Sequence, residues 1–186
     1  AREKSETFDP VSFVDGVWES QIVPAVEENA VDLPTVLTAI GDDLEAGGDE
    51  YGLFVSGAYN FMVNGKGKVA NVDTESRNGV AIIELEGYEG PTTVILQVGP
   101  LIRGNSVRDA VGFIEFGDFK EQTEFGQVSK EINKRVSSDV IGERDLASLE
   151  GKMVEFDGAF SISTTNQTNI DLSEISIAPV ILTVEE

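Results

Sequence analysis

Between Tyr59 and Val69 apolar and polar residues alternate. Tyr59, Phe61, Val63, Gly65, Gly67 and Val69 fall on one side, and Asn60, Asn64, Lys66 and Lys68 fall on the other. A period of two fits a long, half-buried β-strand; a helix would repeat its apolar positions every three or four residues. Gly65 and Gly67 leave the inner face without side chains, which predicts a bend or coil in mid-strand. The run GKGK lacks the glycine spacing of a phosphate loop and opens no helix, so that reading fails.

The rest of the chain arranges itself around this strand. Asp73–Gly79 is a polar turn in which Asn78-Gly79 can take positive φ. Val80–Glu86 is a second strand, and Gly87–Pro91 is another turn. Thr92–Val98 is a third strand, with Val94, Leu96 and Val98 on one side. Then comes Gly99–Phe119, GPLIRGNSVRDAVGFIEFGDF, which leaves the strand, turns, and opens a helix. Ser106 with Asp109 resembles a capping box and sets the helix start at Val107. Asp118 with Glu121 repeats the signal, so the helix is expected to break at Gly117 and restart. Phe119, Gln122, Phe125, Val128, Ile132 and Val136 follow at helical spacing to about Ser137. Lys152–Ser163 alternates again, Thr164–Asn169 is a polar loop, and Ile175–Val184 is a last strand. Pro179 suggests an edge or a strand start there.

Three strands, a helix and two strands form the element order of the OB-fold, a five-stranded, partly open barrel. The expected fold class is α+β, mainly β, with an N-terminal helical hairpin ahead of the barrel. In that hairpin Asp9 caps a first helix with Pro10 at its first position. Phe13, Val14, Val17, Trp18 and Ile22 make its apolar stripe, and Pro24 ends or kinks it. Asp32 caps a second helix bearing Val36, Leu37, Ile40 and Leu44, and Ala46-Gly47-Gly48 is expected to stop it. Trp18 is read as core. Asp42, Asp43, Glu45, Asp49 and Glu50 lack the ligand spacing of an EF-hand loop and are read as a solvated loop. The expected organisation is a disordered linker remnant over 1–8 and a single domain over 9–186. Within it, 9–50 is the helical extension and 51–186 is the barrel.

The chain of 186 residues has no cysteine and no histidine. Disulfides, thiolate zinc sites, and triads built on histidine or cysteine are therefore excluded within it. The net charge of −21 opposes nucleic acid and anionic membranes, so no nucleic-acid partner is expected. From Ser5 to Gly65 there are 12 acidic residues and no lysine or arginine. Gly99–Val140 differs, with six basic and seven acidic residues. No apolar run approaches the ~20 residues of a membrane helix. The polar start, AREKSETFDP, reads as a mature or trimmed N-terminus, with any targeting segment removed.

The candidate ligand-binding residues cluster at the near-neutral turn. Arg103 and Arg108 flank a predicted helix N-terminus, where backbone N–H groups and guanidinium groups can hold a carboxylate, phosphate or sulfate. Asn105 and Ser106 can add hydrogen bonds, Asp109 can pair with an arginine, and Gln122, on the apolar stripe, is expected to be a buried helper. The competing reading is a structural clamp. OB-folds bind ligands across their second and third strands, beside the loops that here span Asp73–Gly79 and Thr164–Glu174, and both loops carry saccharide-like chemistry. No metal or other cofactor is expected. For an enzyme the best pieces are paired carboxylates such as Asp109 with Glu115 or Glu155 with Asp157, as a glycosidase could use, although among 34 acids some pair will always fit.

Four blocks carry a family resemblance: FDPVSFVDGVWES, YNFMVNGKGKV, GPLIRGNSVRDAVGFIEFGDF, and the closing GKMVEFDGAF…IAPVILTV. Together, from Phe8 to Val184, the chain resembles the domain-of-unknown-function 2291 family of predicted bacterial periplasmic lipoproteins. The resemblance implies a periplasmic protein tied to the membrane only by a lipidated cysteine upstream of Ala1. It also implies an association with sugar ABC uptake systems. The expected function is therefore a non-enzymatic accessory that binds a small polar ligand or a transporter component. A structural, envelope-assembly module that docks protein partners is the alternative, and a carboxylate-based glycoside-acting enzyme is third.

Overall fold

The computed structural model describes residues 9–55, 57–75, 79–99, 101–102, 104–114, 117, 119–142, 146–163 and 173–185. Helix α1 (Pro10–Val17) runs through a π-helical turn, Trp18–Ile22, into α2 (Val23–Asn29). Strand β1 (Val31–Asp32), α3 (Leu33–Asp42), α4 (Leu44–Tyr51) and β2 (Gly52–Val55) follow. The barrel is built from β3 (Ala58–Asp73), β4 (Val80–Leu85), β5 (Thr93–Gln97), β6 (Met153–Ser163) and β7 (Glu174–Val184). Between β5 and β6 lie α5 (Ser106–Ala110), α6 (Gln122–Arg135), a second π-helical turn, Val136–Ile141, and a 3-10 turn, Leu146–Leu149.

The five barrel strands pair in the order β3-β4-β5-β7-β6, and β6 closes back onto β3. All neighbours are antiparallel except β5 and β7, which run parallel. The 16-residue β3 makes closure possible. It pairs with β6 from Ala58 to Lys68 and with β4 from Gly67 to Asp73, so Gly67 has a neighbour on each side. A Cβ at Gly67 would sit 2.4 Å from the Glu84 carbonyl oxygen, and one at Gly65 would sit 2.8 Å from the Phe156 ring. The two inner glycines thus mark where neighbouring strands and rings approach most closely. Inside the barrel, Phe61 stacks on Phe160 at 5.0 Å between ring centroids. Phe61, Phe156 and Phe160 are fully buried, each worth ~1.5–3 kcal/mol of burial.

Three expectations about the extension and strands need correction. Gly47 and Gly48 do not stop a helix; they lie inside α4, which is capped by Asp43. Gly47 packs on the backbone of Ala39 and Ile40, and Gly48 packs on the Tyr59 ring, so the pair lets α4 approach its neighbours. The first half of β3 is covered on both faces: Asn60 and Met62 are buried along with Phe61 and Val63, since α5 lies over the outer side and β2 flanks β3 in the sheet. Asn60 Nδ2 donates to the carbonyls of Leu53 and Ala58, and its Oδ1 accepts from Ser161 Oγ. Pro179 is not a strand start: it lies inside β7, at a point where only β6 pairs with it. The pairing with β5 has stopped at Ile177, and a bulge follows at Val180.

Asp9 and Asp32 cap α1 and α3 as expected, accepting from Ser12 and Thr35 backbone N–H groups at 3.3 Å. Trp18 is buried, with the Arg135 guanidinium 5.9 Å from its ring. Arg135 also pairs with Asp15 and Asp139, joining α1 to α6.

Candidate functional site

α5 is a single turn wedged between the barrel and α6, and all five of its residues are buried. Its N-cap is Asn105, one residue earlier than a Ser106–Asp109 capping box requires. Ser106 Oγ instead donates to the Ala159 carbonyl on β6 at 3.2 Å. Asp109 turns to its neighbour: Arg108 Nε and Nη2 donate to its two carboxylate oxygens at 2.7 and 3.1 Å. Arg108 Nη1 donates to the Phe125 carbonyl at 3.1 Å, and the guanidinium lies 3.5 Å from the Phe125 ring centroid. Arg108 is 4% exposed and Asp109 6%. The guanidinium therefore spends three of its five N–H donors and one face inside the protein. It clamps α5 to α6 and has no open side for an anion.

The turn ahead of α5 is pinned as well. The Gly104 carbonyl accepts from Ser129 Oγ at 3.1 Å and from Asn133 Nδ2 at 2.9 Å. Ser129 was not legible as a site residue, although it stands four positions before Asn133 on the buried side of α6. The fixed turn forms one wall of a cleft of about 490 Å³ on the outer face of the barrel. Val80, Ile95 and Gln97 lie along its base, Ser176 and Glu174 of β7 and Ser161 of β6 stand across it, and Asn105 and Ser106 border it. These are outward positions of β4, β5, β7 and β6, whose inward partners Val94, Leu96, Ile175 and Ile177 fill the barrel. Gln97 and Ser176 were not singled out from the sequence. The period of two that turns Val94, Leu96 and Val98 inward is the signal that would have found Gln97. The cleft offers amide, hydroxyl and carboxylate groups over an apolar base, with no basic side chain among its described lining residues.

The other anticipated residues do not join it. Gln122 is the exposed first residue of α6, outside the stripe of Phe125, Val128 and Ile132 because the helix begins only there. Arg103 lies outside the described residues, as do 1–8, Glu115, Asp118 and most of the two loops, 76–78 and 164–172. Asp109, one half of a carboxylate pair, is held by Arg108. Of the other pair, Glu155 is exposed and within 3.9 Å of Lys66, which also meets Glu185 at 3.1 Å. Asp157 is half-buried, and burial, then the charges of Glu27 and Glu155, raise its pKa above the ordinary 3.8. The native state therefore holds that proton more tightly than the unfolded chain. Stability from this group falls as pH rises from 3.8 through the raised native value, and the deficit persists above it. Asp157→Asn is expected to be more stable than the parent at neutral pH, with the gap closing in acid below the ordinary carboxylate range. Urea unfolding across pH measures this, and a variant that is less stable at neutral pH refutes it.

The comparisons agree with this architecture. Among solved structures, the chain is similar to a crystal structure of an OB-fold protein from Thermotoga maritima. The TM-score is 0.75 at 20% identity, covering 97% of this chain and 100% of that one. At such identity the likeness establishes the OB-fold and nothing about activity. No curated protein matches the sequence. A family model described as a predicted periplasmic lipoprotein matches residues 1–183, nearly the whole chain, in agreement with a periplasmic, lipid-anchored localisation. The chain belongs to this family of predicted periplasmic lipoproteins, DUF2291.

Proposed function

We propose that the protein is a non-enzymatic periplasmic accessory of a solute-uptake system, and that it holds a small, neutral, polyhydroxylated solute such as a sugar in the barrel cleft. The observation behind this is the cleft's composition. Gln97, Asn105 and Ser176 carry groups that can both donate and accept, while Ser161, whose proton goes to Asn60, and Glu174 accept from hydroxyls. Val80 and Ile95 offer an apolar surface for the C–H face of a ring. An anionic solute is a poorer match, because Arg108 is already paired. The cleft also flanks the face where OB-folds receive ligands.

Thermal shift with neutral sugars, sugar phosphates and carboxylates tests this. A neutral sugar is expected to raise Tm through binding to the native state, by about 2.7 kcal/mol of stability at a hundredfold excess over Kd. Ser176→Tyr, at an exposed position on the cleft wall, is expected to abolish that shift while the unliganded Tm stays near the parent's. If no neutral sugar shifts Tm, or if the shift survives Ser176→Tyr, the cleft is not the site.

A further inference from the structure

We propose that the exposed Phe54 ring of β2, with the carboxylates that surround its neighbour Tyr59, is a docking surface for a protein segment that carries lysine or arginine next to apolar side chains. This is independent of the reading of the cleft. Among the described strands, β2 pairs only with β3. Phe54 is 58% exposed on the Tyr59 side of β2; Leu53, its neighbour in the strand, faces the other side, toward Gly112. Phe54 is nevertheless held in place. Its ring meets Tyr59 edge-on at 5.0 Å, and Tyr59 is itself seated on Gly48, where a Cβ would come within 2.5 Å of the ring. An aromatic side chain fixed in this way loses little rotamer freedom when a partner covers it, a trait of interface anchors.

The charge beside the patch selects the occupant. Tyr59 ionises above the ordinary phenol range, first because of burial and then because Asp49, Glu45 and Asp43 place negative charge near its hydroxyl, which also bonds Asp49. All three acids are exposed, and the chain has no lysine or arginine from Ser5 to Gly65 to neutralise them locally. An aromatic face bordered by carboxylates favours a cationic side chain stacked on the ring, with an apolar neighbour covering the rest of Phe54. A second copy of this chain would bring another net charge of −21, and an anionic lipid surface would be repelled in the same way. A basic, partly apolar protein segment meets both demands.

The test uses the full chain and short fluorescein-labelled peptides, read by anisotropy. One peptide alternates lysine with leucine, a second alternates lysine with serine, and a third alternates glutamate with leucine. The lysine–leucine peptide is expected to bind saturably and to weaken as salt is raised. Phe54→Ser is expected to weaken it about tenfold or more. Val11→Ser, at an apolar residue of α1 that is 49% exposed, is expected to leave it unchanged. The double variant Glu45→Gln/Asp49→Asn keeps the apolar patch and is expected to weaken binding severalfold, so the test does not rest on Phe54 packing alone. Failure of the lysine–leucine peptide to bind overturns the proposal, as does equal binding of the lysine–serine peptide or equal loss in Phe54→Ser and Val11→Ser. Concentration-dependent dimerisation abolished by Phe54→Ser would assign the patch to a second copy and also overturn it.

Discussion

Arg108→Met is expected to destabilise the protein by about 3–5 kcal/mol, the usual cost of removing one partner from a buried ion pair. The loss of Coulomb attraction is the smaller part of the reason. Asp109 is 6% exposed, and its carboxylate faces the guanidinium through two short hydrogen bonds. Without Arg108 that charge is left buried without its cation, the Phe125 carbonyl loses a donor, and the Phe125 ring loses the cation over its face. For a chain of this length, a drop in Tm of roughly 2–4 °C accompanies each kcal/mol. Arg108→Lys is not expected to rescue, because a single ammonium cannot reproduce the planar fork. The double variant Arg108→Met/Asp109→Leu is expected to recover much of the loss, since no charge then remains buried. Urea denaturation of the parent, both single variants and the double variant closes the cycle. If Arg108→Met costs less than about 0.5 kcal/mol, a value usual for surface changes, the clamp reading is wrong.

The clamp also ties the helical extension to the barrel. The Arg108 guanidinium rests on Phe125, Phe125 lies 5.8 Å from Phe119, and Phe119 meets Phe13 of α1 edge-on at 5.6 Å. The Arg135–Asp15 pair adds a second link between α6 and α1. Loss of Arg108 is therefore expected to loosen α1 along with α5. Hydrogen exchange resolves this, with faster exchange at α1 amides in Arg108→Met than in the parent.

The barrel was readable because its strands are covered unequally on their two faces. Val80–Leu85, Thr93–Gln97, Met153–Ser163 and Glu174–Val184 each lie within two residues of the strand read there from the sequence. The caps at Asp9 and Asp32 were readable because their bonds span only two or three residues. What was not readable is non-local. A glycine pair looks the same whether it ends a helix or lets α4 settle on Tyr59. Of the outward residues, Asn60 obeys the alternation and Met62 breaks it, yet both are buried because α5 is laid over that face. Arg108 reads from the sequence as either an anion-holding residue or a structural clamp, and the sequence alone does not choose between them. Its burial depends on Phe125, seventeen positions away, and on Ser106 reaching a strand 53 positions away. The cleft exists only because β7 returns parallel to β5 and places Ser176 beside Ile95.

The same chemical change, glycine to alanine, is expected to have opposite effects at two positions. Gly158 lies buried in β6 opposite Pro179, at the bulge where β7 gains a residue. A Cβ there would stand 2.4 Å from the Ala178 carbonyl oxygen, 2.9 Å from Ile177 Cγ2 and 3.0 Å from Pro179 Cα. Two of those atoms are backbone and cannot rotate away, so β6 and β7 must separate locally. Overpacking of this kind costs about 1–3 kcal/mol, and backbone obstruction puts Gly158→Ala at the upper end. Gly16 sits in α1, exposed, with nothing within 4 Å of an added Cβ. Gly16→Ala there restricts the unfolded chain without native strain and is expected to stabilise by about 0.4–1 kcal/mol. Paired Tm measurements separate packing from propensity: Gly158→Ala falls, Gly16→Ala rises, and the double variant shows their sum, because the two sites share no contact through which to couple. A Gly158→Ala protein as stable as the parent would mean that the β6–β7 bulge yields more readily than close-packed backbone allows.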